Sequence, residues 1–302
     1  MSTEDAATGV SAPDFFDITR RNARSVQTLV GWIFWDPGAV SRYEQLGLPG
    51  PLGYIAARAA PFAGAGYDAV MASFGSISPD GIKLTFLQLE TPAAFRAFWL
   101  ARDAAVLDGL AQYAPDARSA LAEIADEMWS VVRQLPTVGR PFFASHLNVE
   151  ESSSPVLRGW HAVNALREWR GDTHWALVAA HGLTGPEASI LHNAWLGYDG
   201  DWLSESRGNS PAMIHEAWAS LEAKGYAHEH VVNERGLNLR QRIEDETDRR
   251  TTLPWELLGA ERSVRFAETF EPPCVHLLAR VDVTAGERYQ PASRVREPRR
   301  PA

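Results

Sequence analysis

Residues 210–240 read SPAMIHEAWASLEAKGYAHEHVVNERGLNLR, and the fold is decided there. Ser210-Pro211 is a helix start: the hydroxyl can accept a first-turn N–H, and proline loses nothing at the first helical position. Met213 or Ile214, Ala217 or Trp218, and Leu221 recur at spacings of three and four, which predicts one buried face through Lys224. Gly225 suits the left-handed residue that ends a helix. Tyr226 to Val232 predicts a short extended segment with almost no loop. Asn233 then caps a long charged helix to about Arg250.

Working outward, Thr184 caps a helix to about Trp195, and Thr173–His181 predicts a short helix before it. Helix, helix, helix, β-ribbon, helix is the order of a winged helix-turn-helix. The pair Ser-Pro or its equivalent recurs at Asp36-Pro37, Ser78-Pro79, Thr91-Pro92 and Ser154-Pro155. These starts predict a mainly helical chain. The clearest long helices are expected over Pro92–Tyr113 and Asp116–Gln134, as an antiparallel pair, and Thr19 is expected to cap a helix running to Phe34. The expected organisation is a disordered tail over residues 1–13, a helical N-terminal domain over 14–150 and a winged-helix-like domain over 151–270. Residues 271–302 would form a C-terminal extension with a basic tail (Arg294, Arg296, Arg299, Arg300).

At 302 residues, 45% hydrophobic and 22% charged, the composition is that of an ordinary globular chain. A single cysteine, Cys274, excludes a disulfide framework and cysteine-based metal centres; without a basic neighbour it reads as an inert thiol. The acidic first residues lack the features of a secretory signal, and no apolar run is long enough to cross a bilayer, so a cytoplasmic protein without membrane contact is expected. Glycines do not follow a strand in any dinucleotide-binding pattern, and Ser210 has a sufficient role as a cap.

The exit Asn233-Glu234-Arg235-Gly236-Leu237-Asn238-Leu239-Arg240 resembles the wing-to-helix junction of MarR-type regulators. Leu166-Arg167-Glu168-Trp169-Arg170-Gly171-Asp172-Thr173-His174 and Glu244-Asp245-Glu246-Thr247-Asp248-Arg249 resemble an actinobacterial family of two-part helix-turn-helix-like proteins. Gly53-Tyr54, Arg58-Ala59-Ala60-Pro61 and Gly139-Arg140-Pro141 match it too. The resemblance covers roughly residues 20–270 and implies a fold rather than a reaction.

Charge argues against the partner this fold usually takes. Residues 173–232 carry seven acids (Glu187, Asp199, Asp201, Glu205, Glu216, Glu222, Glu229) against two bases, Arg207 and Lys224, in a chain of net charge −9. DNA affinity depends on neutralising several phosphates, so DNA is a disfavoured partner. The outward residues of the reading helix, His215, Glu216, Ser220, Glu222 and Lys224, include no arginine, asparagine or glutamine to address guanine or adenine.

The densest chemistry lies at 158–174. On a helix from Pro155 to Trp169, His161, Asn164 and Glu168 share one face with Arg167 beside them. Arg170-Gly171-Asp172-Thr173 is expected to break that helix, with Asp172 capping the next and His174 in its first turn. Three readings stand side by side. A structural network would have Arg170 paired with Asp172 or Glu168. A small-molecule site would use Arg58, Arg167 and Arg170 as anion clamps, with Trp160, Trp169 and Trp175 as walls. A metal site would draw on His161, Glu168, Asp172 and His174, at a spacing that matches no known motif and among arginines that oppose a cation.

The expectation for function is a winged-helix-type protein, a sensor or a sequestering protein, that binds an anionic or aromatic small molecule between its two halves. Its candidate contacts are Arg58, Trp160, His161, Arg167, Glu168, Arg170, Asp172 and His174, with no cofactor and no metal. The alternatives are a ligand-responsive regulator that binds operator DNA as a homodimer, and a cofactor-independent or metal-assisted enzyme using His174 or His161 as base.

Overall fold

The computed structural model describes residues 14–289; the expected N-terminal tail and the basic cluster from Arg294 to Arg300 lie outside them. Among the described residues 76% are helical, and two short strands pair as one ribbon. The first half holds α1 (Phe15–Gly31), α2 (Pro37–Gln45), α3 (Gly50–Ala59), α4 (Tyr67–Ser73), α5 (Pro79–Gln88), α6 (Pro92–Tyr113), α7 (Pro115–Val132) and α8 (Pro141–His146). The five caps expected directly ahead of a proline all form: Asp36, Ser78, Thr91, Ser154 and Ser210 each accept a first-turn backbone N–H from the helix they open. α1 begins earlier than expected. Asp14 is its cap, while the Thr19 hydroxyl bonds back to the Phe15 carbonyl inside the helix, and Trp32–Trp35 tightens into a 3₁₀ turn.

α9 (Pro155–Ala180) runs unbroken for 26 residues, about 39 Å. The break expected at Arg170–Thr173 is absent, because both residues that favour caps are used sideways. Asp172 accepts the Phe143 N–H of α8 at 2.9 Å, and the Thr173 hydroxyl donates to the Trp169 carbonyl one turn back. Gly171 then stays helical within a packed segment.

The second half continues with α10 (Gly185–Leu196), α11 (Trp202–Ser206), α12 (Pro211–Ala223), β1 (Ala227–His228), β2 (Val231–Val232), α13 (Glu234–Arg250), α14 (Leu253–Leu258) and α15 (Ala260–Ala285). A full capping box between Thr184 and Glu187 opens α10, and Asn233 caps α13. The expected helix order, ribbon included, is therefore present, with α11 inserted. α15 runs through residue 271, where a separate extension was expected, and carries Pro272 and Pro273 inside it.

Two apolar cores result. The larger gathers α1 to α8, the first part of α9, and α14 and α15; the smaller joins Val178, Ile190, Leu191, Ile214, Trp218, Leu221, Leu239 and Ile243 of the helix-turn-helix. α9 serves both. Among the described residues no helix is long and apolar enough to cross a membrane.

Candidate functional site

A cavity of about 440 Å³ lies where the helix-turn-helix meets the first half of the chain. Four helices line it with stripes at helical spacing: Arg20, Arg24 and Gln27 of α1; Arg167, Arg170, His174 and Val178 of α9; Ala188, His192 and Trp195 of α10; Arg240, Glu244 and Asp248 of α13. Phe34, Tyr54, Phe74, Trp175 and Tyr289 add apolar wall, and Arg58 and Arg207 complete the cationic lining. The loop after α4 closes one side. Gly75, at φ +66°, packs so tightly on the Trp175 ring that no side chain fits there, and Ser78 donates its N–H to the Arg207 carbonyl.

Seven arginines face three carboxylates in this lining, and five of the seven are committed to those acids or their neighbours. Arg58 grips Glu168 with two bonds, of 2.9 and 3.2 Å, under the rings of Phe74 and Phe142. Arg167 bonds Glu168 and Gln27 at 2.5 and 2.9 Å. Arg170 reaches across to Glu244 and Asp248 of α13, not to Asp172 or Glu168 as expected. It is drawn there because α13 supplies two acids while Asp172 is occupied by α8. Arg20 of α1 binds Asp245 and Asp248, and Arg240 binds Glu244 at 2.7 Å. Arg24 and Arg207 have no carboxylate within ion-pair distance among the described residues.

Electrostatics follow from these pairs. Burial by itself would raise Glu168, yet Arg58 and Arg167 hold it down at about 2. Burial is likewise outweighed at Glu244, which Arg240 and Arg170 keep well below the usual carboxylate range. His174 is pushed down to about 3 and His192 well below its ordinary value, in both cases first by burial and then by Arg240.

Five of the eight expected contacts therefore line the cavity: Arg58, Arg167, Glu168, Arg170 and His174. The other three do not. Trp160 is fully buried and donates its ring N–H to the Leu29 carbonyl at 2.8 Å. His161 is buried against Asp103 at 3.0 Å, and Asp172 serves α8, held up at about 6 chiefly by burial. The four residues weighed as metal ligands thus separate, and among the described residues no three histidines, cysteines or acids gather as a metal would need. His192, Arg207, Arg240 and Glu244 were missed. Polar residues recurring along otherwise core-facing stripes of α10 and α13 were the signal that could have found them.

α12, the helix expected to read DNA if any does, buries Ile214, Ala217, Trp218 and Leu221 and exposes His215 and Glu216. Both basic residues of the motif turn elsewhere: Lys224 donates to Glu187 and the Gly182 carbonyl, and Arg207 faces the cavity. The wing is a two-residue turn, Glu229 and His230, both at positive φ; His230 stacks on Trp218 and its N–H donates to Glu222 at 2.9 Å. Arg235 of α13 lies over Tyr226 nearby.

A helix-turn-helix family model matches residues 19–284. No curated protein and no solved structure matches the chain.

Proposed function

The chain belongs to this helix-turn-helix family, and on that premise we propose that it binds a small organic anion in the cavity between its two helical layers. In this reading it is a sensor or a sequestering protein. The observation that carries the reading is the lining itself: an excess of guanidinium over carboxylate, two guanidiniums without a carboxylate partner among the described residues, and aromatic walls. A site that combines apolar enclosure with a few converging charges is what a small acid needs. The volume, about 440 Å³, is in the range of small-molecule pockets.

The test is thermal unfolding of the full chain against matched small organic acids and amines. Acids raise the melting temperature in a concentration-dependent way and amines do not, because only ligands of the native state stabilise it. Failure of every acid overturns the reading.

A second reading, a ligand-responsive regulator acting on operator DNA as a homodimer, is favoured by the family assignment. The acidic surface of α12, the pairing of Lys224 with Glu187 and the place of Arg207 in the cavity lining weigh against it. A low-salt mobility-shift assay with the DNA upstream of the protein's own gene separates the two. No shift is expected; a specific, salt-sensitive shift supports the regulator.

A further inference from the structure

The two histidines of the cavity present opposite hydrogen-bonding faces, and their partners fix which is which. Arg240 approaches Nδ1 of His192 at 3.3 Å. A guanidinium only donates, so this nitrogen accepts, and the neutral ring carries its proton on Nε2. At His174 the order is reversed. Nδ1 lies 3.0 Å from the Thr247 hydroxyl, whose own proton goes to the Ile243 carbonyl at 2.7 Å. That oxygen can only accept, so Nδ1 of His174 holds the proton and Nε2 keeps a lone pair.

His192 thus offers an Nε2–H donor and His174 an Nε2 acceptor. Neither nitrogen has a hydrogen-bond partner among the described residues, and both rings line the cavity. They lie close enough for the charge of one to bear on the other, and Arg207 acts on His192 in the same way. Arg207 is half-buried, lines the same space and has no carboxylate partner among the described residues.

A hydroxyl is the simplest group that satisfies both rings, since it accepts from one and donates to the other. A carboxylate or a dianionic phosphate only accepts and would leave the His174 lone pair unmatched. An ammonium only donates and would meet the cationic lining. We propose that the cavity selects an organic hydroxy acid, with its carboxylate against Arg207, its hydroxyl between His192 and His174, and its apolar frame against Trp175 and Trp195. This rests on the reading of the cavity as a ligand site and names the chemistry that site prefers.

The test measures dissociation constants on the full chain with two hydroxy acids of different length, para-hydroxybenzoate and para-hydroxyphenylpropionate. Each is compared with its deoxy acid and with its hydroxy amide. At least one hydroxy acid is expected to bind about tenfold more tightly than both of its analogues, as loss of one buried hydrogen bond or one charged contact implies. Arg207→Gln is expected to erase the preference for acid over amide and keep that for hydroxyl over deoxy. His174→Phe does the reverse. The wild-type comparison needs neither variant to fold. Equal binding of hydroxy and deoxy acids, or of acid and amide, overturns this inference and leaves the cavity a ligand site. Failure of all six compounds, together with no acid raising the melting temperature, overturns both.

Discussion

Gly159 of α9 lies against Leu121 of α7 so closely that a β-carbon built on it would sit 1.9 Å from the Leu121 carbonyl oxygen. The obstacle is backbone, which cannot swing aside as a side chain does. α7 packs more extensively on α9 than on any other element, and this glycine sets how near the two helices come.

Gly159→Ala is therefore expected to destabilise the protein by about 3 kcal/mol, the upper range for overpacking a core. Gly171→Ala, whose β-carbon would meet only Glu168 Oε2 at an ordinary contact distance of 3.5 Å, is expected to stabilise by about 0.5–1 kcal/mol through reduced freedom of the unfolded chain. Urea midpoints of the two variants, measured side by side, check a single substitution type with opposite signs.

Glu168 holds Arg58 and Arg167 at once and is 1% exposed. Glu168→Gln leaves two largely buried guanidiniums without a carboxylate, and a loss of about 3–5 kcal/mol is expected. Arg167→Gln costs less, since the Arg58 pair survives it. Because Glu168 titrates at about 2 in the folded chain, its contribution is complete above its ordinary value and is lost as pH falls towards 2. The acid limb of a stability profile should be correspondingly shallower in Glu168→Gln.

His146 and Asp172 oppose each other on acidification. His146 donates Nδ1–H to the Phe142 carbonyl, and burial pushes it down to about 4. The folded state thus binds fewer protons than the unfolded one between 6.5 and 4, so stability falls across that window, by about 3 kcal/mol from this group. Asp172, raised to about 6, keeps its proton when folded and gives some of this back between 6 and 3.8. Stability measured from pH 7 to 4 should decline more gently in His146→Gln and more steeply in Asp172→Asn.

Cys274 is buried, its thiol donates to the Ser25 carbonyl, and burial raises it to about 12. The native protein is expected to resist a thiol-directed disulfide reagent at pH 8, and to react with one equivalent once unfolded in urea.

The helix-turn-helix was legible because its boundaries rest on local chemistry. Ser210, Thr184, Asn233 and Gly225 act on their own first or last turns, whatever packs beside them. α11 was not legible: a five-residue helix with two serines and one acid has no period to read. The false break at Arg170–Thr173 has the same origin as the false pairing of Arg170. Both expectations let local partners win, whereas Phe143, Glu244 and Asp248, 29 to 78 residues away, supplied better ones. Arg58, Arg167 and His174 were picked out by density of charge, a signal that does not say which way a side chain turns; Trp160 and His161 turn into the core of the first half.

α9 gives its first residues to one core and its last to the other without an interruption. The winged helix here is consequently no interchangeable cassette. Excised at any point along those 26 residues, it would forfeit its own opening helix or strip its neighbour of a central beam, so recombination could exchange the unit only together with the layer it leans upon.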